Sequence, residues 1–151
     1  MKTLACTLIV VAGLIVSYIL IAEEKEKISK LSAAVEFISF MRVQIDNFRT
    51  PIGEIIKMYN KSATESFRLF SEAPEDLAKG LEEMVPDGGR TLWTVREIMD
   101  GGYDDAAKGA AVLEERAKEL LENEENTFEE RKKTLMILPP AACLLLVILI
   151  L

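Results

Sequence analysis

"AEEKEKISKLSAAVEFISFMRVQIDNFR", Ala22–Arg49, contains no Gly and no Pro. Ile28, Leu31, Val35, Ile38, Met41, Ile45 and Phe48 recur in it at steps of three and four. That spacing predicts a helix of over twenty residues with one apolar stripe to bury. Just before it, Thr3–Ala22 runs for twenty residues without a charge. As a helix such a run is roughly 30 Å long, enough to cross the hydrocarbon of a bilayer. The amphipathic helix is therefore expected to grow directly out of a membrane span.

A second uncharged run, "LMILPPAACLLLVILIL", occupies Leu135–Leu151. Its seventeen residues give roughly 25 Å, at the short end for a span. Pro139 and Pro140 are tolerable there, because neighbouring helices can satisfy the freed carbonyls. The first run reads as a retained anchor. It is too long for a signal-peptide core, and "SYILIAEEK" offers no small-x-small cleavage site. Lys25, Lys27 and Lys30 follow the first run, and Arg131, Lys132 and Lys133 precede the second. The opposite flanks hold only Lys2. The excess of Lys and Arg marks the cytosolic side, so the middle segment is expected in the cytosol with both termini across the membrane. Cys6 and Cys143 fall at different depths of the two runs. They read as small membrane-facing hydrophobes, not as a disulfide.

The middle segment, Glu23–Thr134, holds 17 basic and 25 acidic residues, a net of −8. That acidity argues against nucleic acid as a partner. Its punctuation predicts several helices. Thr50–Pro51 should end the first and cap the next, with Pro51 at its first position and Ile52, Ile55, Ile56 and Tyr59 on its apolar face. Ser62–Glu65 fits a capping box for a short helix carrying Phe67, Leu69 and Phe70. Leu77, Leu81 and Met84 align on another, which "VPDGG" ends. "TLWTVREIM" suggests a further short helix with Leu92, Val95 and Met99 inward. After Gly101–Gly102, Asp104 or Asp105 can cap a last long helix that feeds the second apolar run. Ala106, Ala110, Leu113, Ala117, Leu120 and Leu121 mark its inner face, and Glu114–Lys118 and Glu129–Lys133 are acid-before-base pairs four apart. No useful strand alternation appears. The fold class expected is all-α: a transmembrane helix at 3–22, an antiparallel cytosolic bundle of four or more helices at 23–134, and a transmembrane helix at 135–151.

The chain has no histidine. That excludes Ser-His and Cys-His triads, HExxH zinc sites and ExxH di-iron sites. No catalytic, cofactor-binding or metal site is read, and no small-molecule substrate is expected. Glu114, Glu115, Glu119, Glu122 and Glu129 read as a face of the last helix turned away from its apolar stripe. They are first of all a solvated surface, and otherwise a surface for a cytosolic partner. Trp93 is either an exposed recognition anchor or, more commonly for an indole, a core residue.

Four features resemble the stage III sporulation protein AB family of endospore-forming bacteria. An N-terminal span leads into a long amphipathic helix. "MRVQIDNFRTPIGEII", Met41–Ile56, resembles the family's helix, Thr-Pro turn and apolar helix. "MDGGYDDAAKGAAVLEER", Met99–Arg116, is similar to its break before the last long helix. "EERKKTLMILPPAACLLLVILIL", Glu129–Leu151, resembles its basic stop before a terminal span. On this resemblance Thr50, Pro51, Gly101, Gly102 and Asp104 are family-like turn positions. The family's soluble part is similar to the F-type platform domain of type II secretion. The resemblance implies a non-enzymatic platform subunit of the channel joining mother cell and forespore. Its helical domain would face the mother-cell cytosol, among other channel subunits and near a secretion-type ATPase. An unrelated two-span tether or regulator holding a cytosolic partner is the alternative.

Overall fold

A computed structural model describes the backbone of residues 2–62, 74–86 and 88–150, and the side chains of residues 7–59, 77–86 and 88–148. Among the described residues there are five α-helices and no strand. They are α1 Lys2–Phe48, α2 Ile52–Ser62, α3 Pro74–Met84, α4 Arg90–Asp100 and α5 Tyr103–Ile150. The helix expected after Ser62, with Phe67, Leu69 and Phe70, falls outside the described residues. The chain divides into two compact units: Met1–Ile28 with Asn123–Leu151, and Ser29–Glu122.

In the Ser29–Glu122 unit the periodic residues form the core. Leu31, Val35, Ile38, Met41 and Ile45 of α1 are buried, with Ile55, Ile56 and Tyr59 of α2, Leu77 and Leu81 of α3, Val95 of α4 and Leu113 of α5. The buried face of α1 is wider than the stripe, because Ala33, Ala34 and Phe37 are also inside. Phe37 and Tyr59 meet edge to face with centroids 5.0 Å apart, which fixes α2 on α1. The stripe ends one step early. Phe48 lies in the last turn of α1 and is 69% exposed, beyond the reach of the core.

The two turns are built differently from their expected form. Arg49 adopts the left-handed conformation (φ 50°) and its N–H donates to the Ile45 carbonyl at 3.1 Å. This is an αL stop with a residue that carries a Cβ. Thr50 does not cap α2. Its hydroxyl points back to Gln44 Oε1 at 3.4 Å, and the Pro51 carbonyl accepts from Glu54 and Ile55. Pro51 is thus the cap residue and not the first helical one. At the other turn the Gly102 carbonyl accepts from Asp105 and Ala106. Gly102 therefore occupies the cap position expected for Asp104 or Asp105. Asp104 and Asp105 sit inside the first turn of α5, where carboxylates favour the helix dipole.

"VPDGG" joins α3 to α4, which pack on each other. Gly88 and Gly89 both have positive φ, 60° and 86°, a pair of left-handed residues that other amino acids resist. The Glu82 carboxylate of α3 reaches across this turn. Its Oε1 accepts from the Gly89 N–H at 2.7 Å and its Oε2 from the Leu92 N–H at 3.1 Å. It satisfies donors that a helix start leaves open. The Thr91 hydroxyl donates to the Val85 carbonyl at 3.1 Å and is buried. Together these set the rotation of α4. Thr91, Thr94, Val95 and Ile98 face in, while Leu92 and Met99 are only partly covered.

In the other unit, the N-terminal part of α1 and the C-terminal part of α5 lie antiparallel. Gly13 meets Cys143 and the Pro139 carbonyl, and Lys25 and Ile28 share a cleft with Glu125, Phe128 and Glu129. A Cβ on Gly13 would lie 2.7 Å from Cys143 Sγ. Cys143 is a free thiol; the side chain of Cys6 is outside the described residues. The seam is narrow, with Gly13, Ser17 and Phe128 its buried members among the described residues. Outside it Leu8, Leu14, Tyr18, Ile137, Leu145 and Ile148 are each more than half exposed.

By length and composition α1 is a helix able to cross a membrane, and it alone meets that measure among the described residues. The second apolar run contributes only Leu135–Ile150 to α5, short of the roughly 18 residues of a confident span.

The turns make a prediction that separates two adjacent glycines. A Cβ at Gly101 would lie 2.7 Å from the Glu97 carbonyl oxygen, whereas Gly102 has open space and no positive φ. Gly101→Ala is expected to destabilise the helical unit by about 1 kcal/mol or more, as fixed backbone must shift. Gly102→Ala should leave it within about 0.5 kcal/mol. Thermal unfolding of the full chain in detergent, followed at Trp93, measures both.

Candidate interaction surface

Glu114 does not belong to the acidic surface. It is 5% exposed, between α1 and α5 in the helical unit. Arg42 Nη1 of α1 donates to its Oε2 at 3.0 Å, and Lys118 Nζ donates to its Oε1 from the next turn of α5. The Ser39 hydroxyl also favours the charged carboxylate. Arg42 also reaches Asp46 at 3.4 Å. The Glu114–Lys118 pair expected from spacing forms, but it works inside a three-sided cage. The Lys118 hydrogen bond, followed by those from Arg42 and Ser39, holds the Glu114 carboxyl below the ordinary range against the opposing effect of burial. Periodicity missed this because a stripe argument assigns each position a face, not a depth. The pairing residue lies 72 positions away.

The remaining acidic residues are exposed. Glu115, Glu119 and Glu122 lie on the α5 part of the helical unit. Glu129 belongs to the other unit, and it pairs with Lys132 at 3.2 Å and not with Lys133. Among the described residues no group of three or more Asp, Glu, Cys or His side chains is placed to hold a metal ion.

The turn positions come together. Thr50, Pro51, Gly101 and Gly102 all line one cavity of about 440 Å³, whose walls include Ile45, Ile98 and Tyr103. The Arg49 guanidinium lies 6.0 Å from the Tyr103 ring centroid at this end. Asp104 is exposed beside them and does not line the cavity. The two motifs that looked like separate punctuation are thus one structural corner of the bundle.

Trp93 is not in the core. It is 65% exposed, on the face of α4 opposite the buried threonines. It forms one wall of a groove of about 470 Å³ between α4 and α5, and Val112, 44% exposed, stands on the other. Gly109 forms the floor, where a Cβ would come within 2.8 Å of Ile98 Cγ1. That missing side chain lets α4 settle close to α5 and leaves the groove above them.

The chain matches no protein-family model, no curated protein and no solved structure. The geometry of these surfaces therefore carries the functional reading.

The Glu114 cage predicts a pH dependence. Because the folded carboxyl titrates below its unfolded value, its contribution is fully present above the unfolded pKa. It is lost as pH falls through the depressed one. Glu114→Gln is expected to cost about 1–2 kcal/mol at neutral pH, since the cations it releases can rehydrate. It should also flatten the loss of stability on acidification. Arg42→Met leaves the buried carboxylate with Lys118 and Ser39 alone, and should destabilise more than Glu114→Gln. Thermal melts between neutral pH and about pH 3 on the three proteins check the order and the slope.

Proposed function

We propose that this chain is a two-span membrane scaffold: a helical hairpin embedded in the bilayer and a non-enzymatic cytosolic bundle that binds a partner. One observation carries the reading. Both helices of the Met1–Ile28/Asn123–Leu151 unit turn large apolar side chains outward, and between Gly13 and Cys143 their seam is built of small residues, with Phe128 the one large side chain buried among the described residues. Water would make that arrangement unstable, whereas in lipid it is the expected form. Small residues pack there, and leucines face the acyl chains. Pro139 and Pro140 lie inside α5 and free the carbonyls four residues back. Their place beside α1 suits a protein-covered position in a membrane. Six Lys and Arg residues flank the polar ends of the two runs, which supports a cytosolic bundle.

Within that class, the finer proposal is a platform subunit of a sporulation channel between mother cell and forespore, on the mother-cell side of the outer forespore membrane. It is supported by the resemblance of the Thr50–Pro51 turn, the Gly101–Gly102 break and the basic stop before Leu135 to stage III sporulation protein AB. Partners would be other channel subunits and a secretion-type ATPase. In this role the acidic α5 face steers association, which makes binding salt-sensitive.

Two measurements test this. With Cys6 and Cys143 replaced by Ala, a cysteine at exposed Lys57 should react with an impermeant thiol reagent only after lysis; reaction in intact protoplasts would reverse the topology. Full-length tagged protein from sporulating cells should co-purify channel subunits. Normal spores from a deletion strain, with no co-purifying subunit, would sink the sporulation role and leave only a membrane tether.

A further inference from the structure

We infer that the cavity at the corner of the bundle, between the Thr50–Pro51 and Gly101–Gly102 turns, is a docking site for a basic segment of a cytosolic partner. The segment places one apolar side chain in the cavity and its Lys or Arg residues on the acidic rim. The inference rests on the scaffold reading above and names where the partner binds and by what chemistry.

Charge is concentrated at this corner. Residues 45–54 and 97–106, whose members line the cavity, hold six acidic residues and one basic residue, Arg49. The rest of the Ser29–Glu122 unit holds 12 acidic and 11 basic residues. Nearly all of the unit's net negative charge therefore lies at one corner of it. Two of the six acids are offset in place, Asp46 by Arg42 at 3.4 Å and Asp105 by Lys108 at 4.0 Å. Glu54, Asp100 and Asp104 are exposed and make no ion pair among the described residues. Each is the chain neighbour of a cavity-lining residue, Gly53, Gly101 and Tyr103 in turn, and so starts about 3.8 Å from the wall.

The fold does not account for this crowding. Glu54 and Asp104 sit in first helical turns, where a carboxylate is favourable. Asp100 ends α4, where a negative charge opposes the helix dipole and no basic residue shares the last turn. Like charges at close quarters repel, and an incoming cation removes that repulsion. The cavity of about 440 Å³ supplies the apolar part. Ile45, Pro51, Ile52 and Met99 are among its walls, and Ile52 and Met99 remain partly uncovered. An apolar side chain entering there takes this surface out of water, while the rim fixes its orientation. The same rim repels nucleic acid and anionic lipid.

The test uses the full chain in nonionic detergent micelles and two fluorescein-labelled peptides, followed by anisotropy. One carries a central Phe flanked by Lys, the other the same Phe flanked by Glu. The Lys peptide should bind saturably and more weakly as salt rises, and the Glu peptide should not bind. Glu54→Gln with Asp100→Asn and Asp104→Asn should weaken the Lys peptide by about tenfold or more. Glu115→Gln with Glu119→Gln and Glu122→Gln removes the same charge from the α5 face and should leave binding within about twofold. Gly53→Leu, at a position where a Cβ meets nothing within 4 Å, fills part of the cavity and should block the Lys peptide with the circular dichroism unchanged. No binding of the Lys peptide, binding of both peptides, equal losses from the two neutralised faces, or binding that survives Gly53→Leu would each overturn the assignment. Reversed topology in protoplasts, with peptide binding intact, would sink the cytosolic side of the scaffold reading and keep the site.

Discussion

A carboxylate buried between two long helices constrains the rest of the helical unit. Glu114 can lie inside only where Arg42 and Ser39 of α1 and Lys118 of α5 all reach it. The surfaces around it are apolar and alanine-rich, with Ala33, Ala34, Ala106, Ala110 and Ala117 buried. Such surfaces allow close approach but specify register weakly. A slide of α5 by one turn would take the Glu114 carboxylate away from Arg42 and leave it Lys118 of its own helix alone, a loss of an ion-pair partner at a buried charge. The polar cage therefore supplies the register that small side chains cannot, the best-attested use of a buried ionic group. The cations stay half in water, with Arg42 and Lys118 side chains 44% and 58% exposed. Only one charge is thus taken fully out of solvent.

The second consequence of that register is the placing of the short helices. With α1 and α5 held together, α2, α3 and α4 complete the core over the apolar surfaces left open. α4 is fixed from three sides: Glu82 on its first N–H groups, Thr91 on the Val85 carbonyl, and Ile98 over Gly109. At 3.6 residues per turn, a residue two positions from both Thr91 and Val95 must face away from each. Trp93 is that residue. Its exposure follows from the way α4 is anchored.

The membrane-like unit obeys the opposite rule. Its two helices touch through Gly13, Ser17 and the Pro139–Cys143 stretch, and put their leucines and isoleucines outward. The Ser17 hydroxyl is satisfied within its own helix, donating to the Gly13 carbonyl at 3.1 Å. A seam of small and self-satisfied groups is the kind that holds by close packing where, as proposed for this unit, lipid offers no hydrophobic drive to bring helices together. On the two-span proposal, one chain carries two helix–helix contacts built for two solvents.

The sequence by itself determined the helices and most of their inner faces. The three-to-four spacing of Leu31 through Ile45 and of Ala106 through Ala117 reports a local period, and α1 and α5 follow it. Thr-Pro and Gly-Gly marked where the chain turns, since proline, glycine and the residue before proline restrict the backbone locally. Tertiary structure decided everything that depends on a distant partner. Glu114 and Glu115 are adjacent acids with the same local signal, and only the position of Arg42 buries one and leaves the other in water. Thr50 and Asp104 or Asp105 looked like caps by residue type, but Pro51 and Gly102 hold those positions. Trp93 could be read locally either as an exposed anchor or as core, and α4's anchoring turned it out. Periodicity fixes which residues share a face, but what covers that face depends on contacts that no local window of sequence contains.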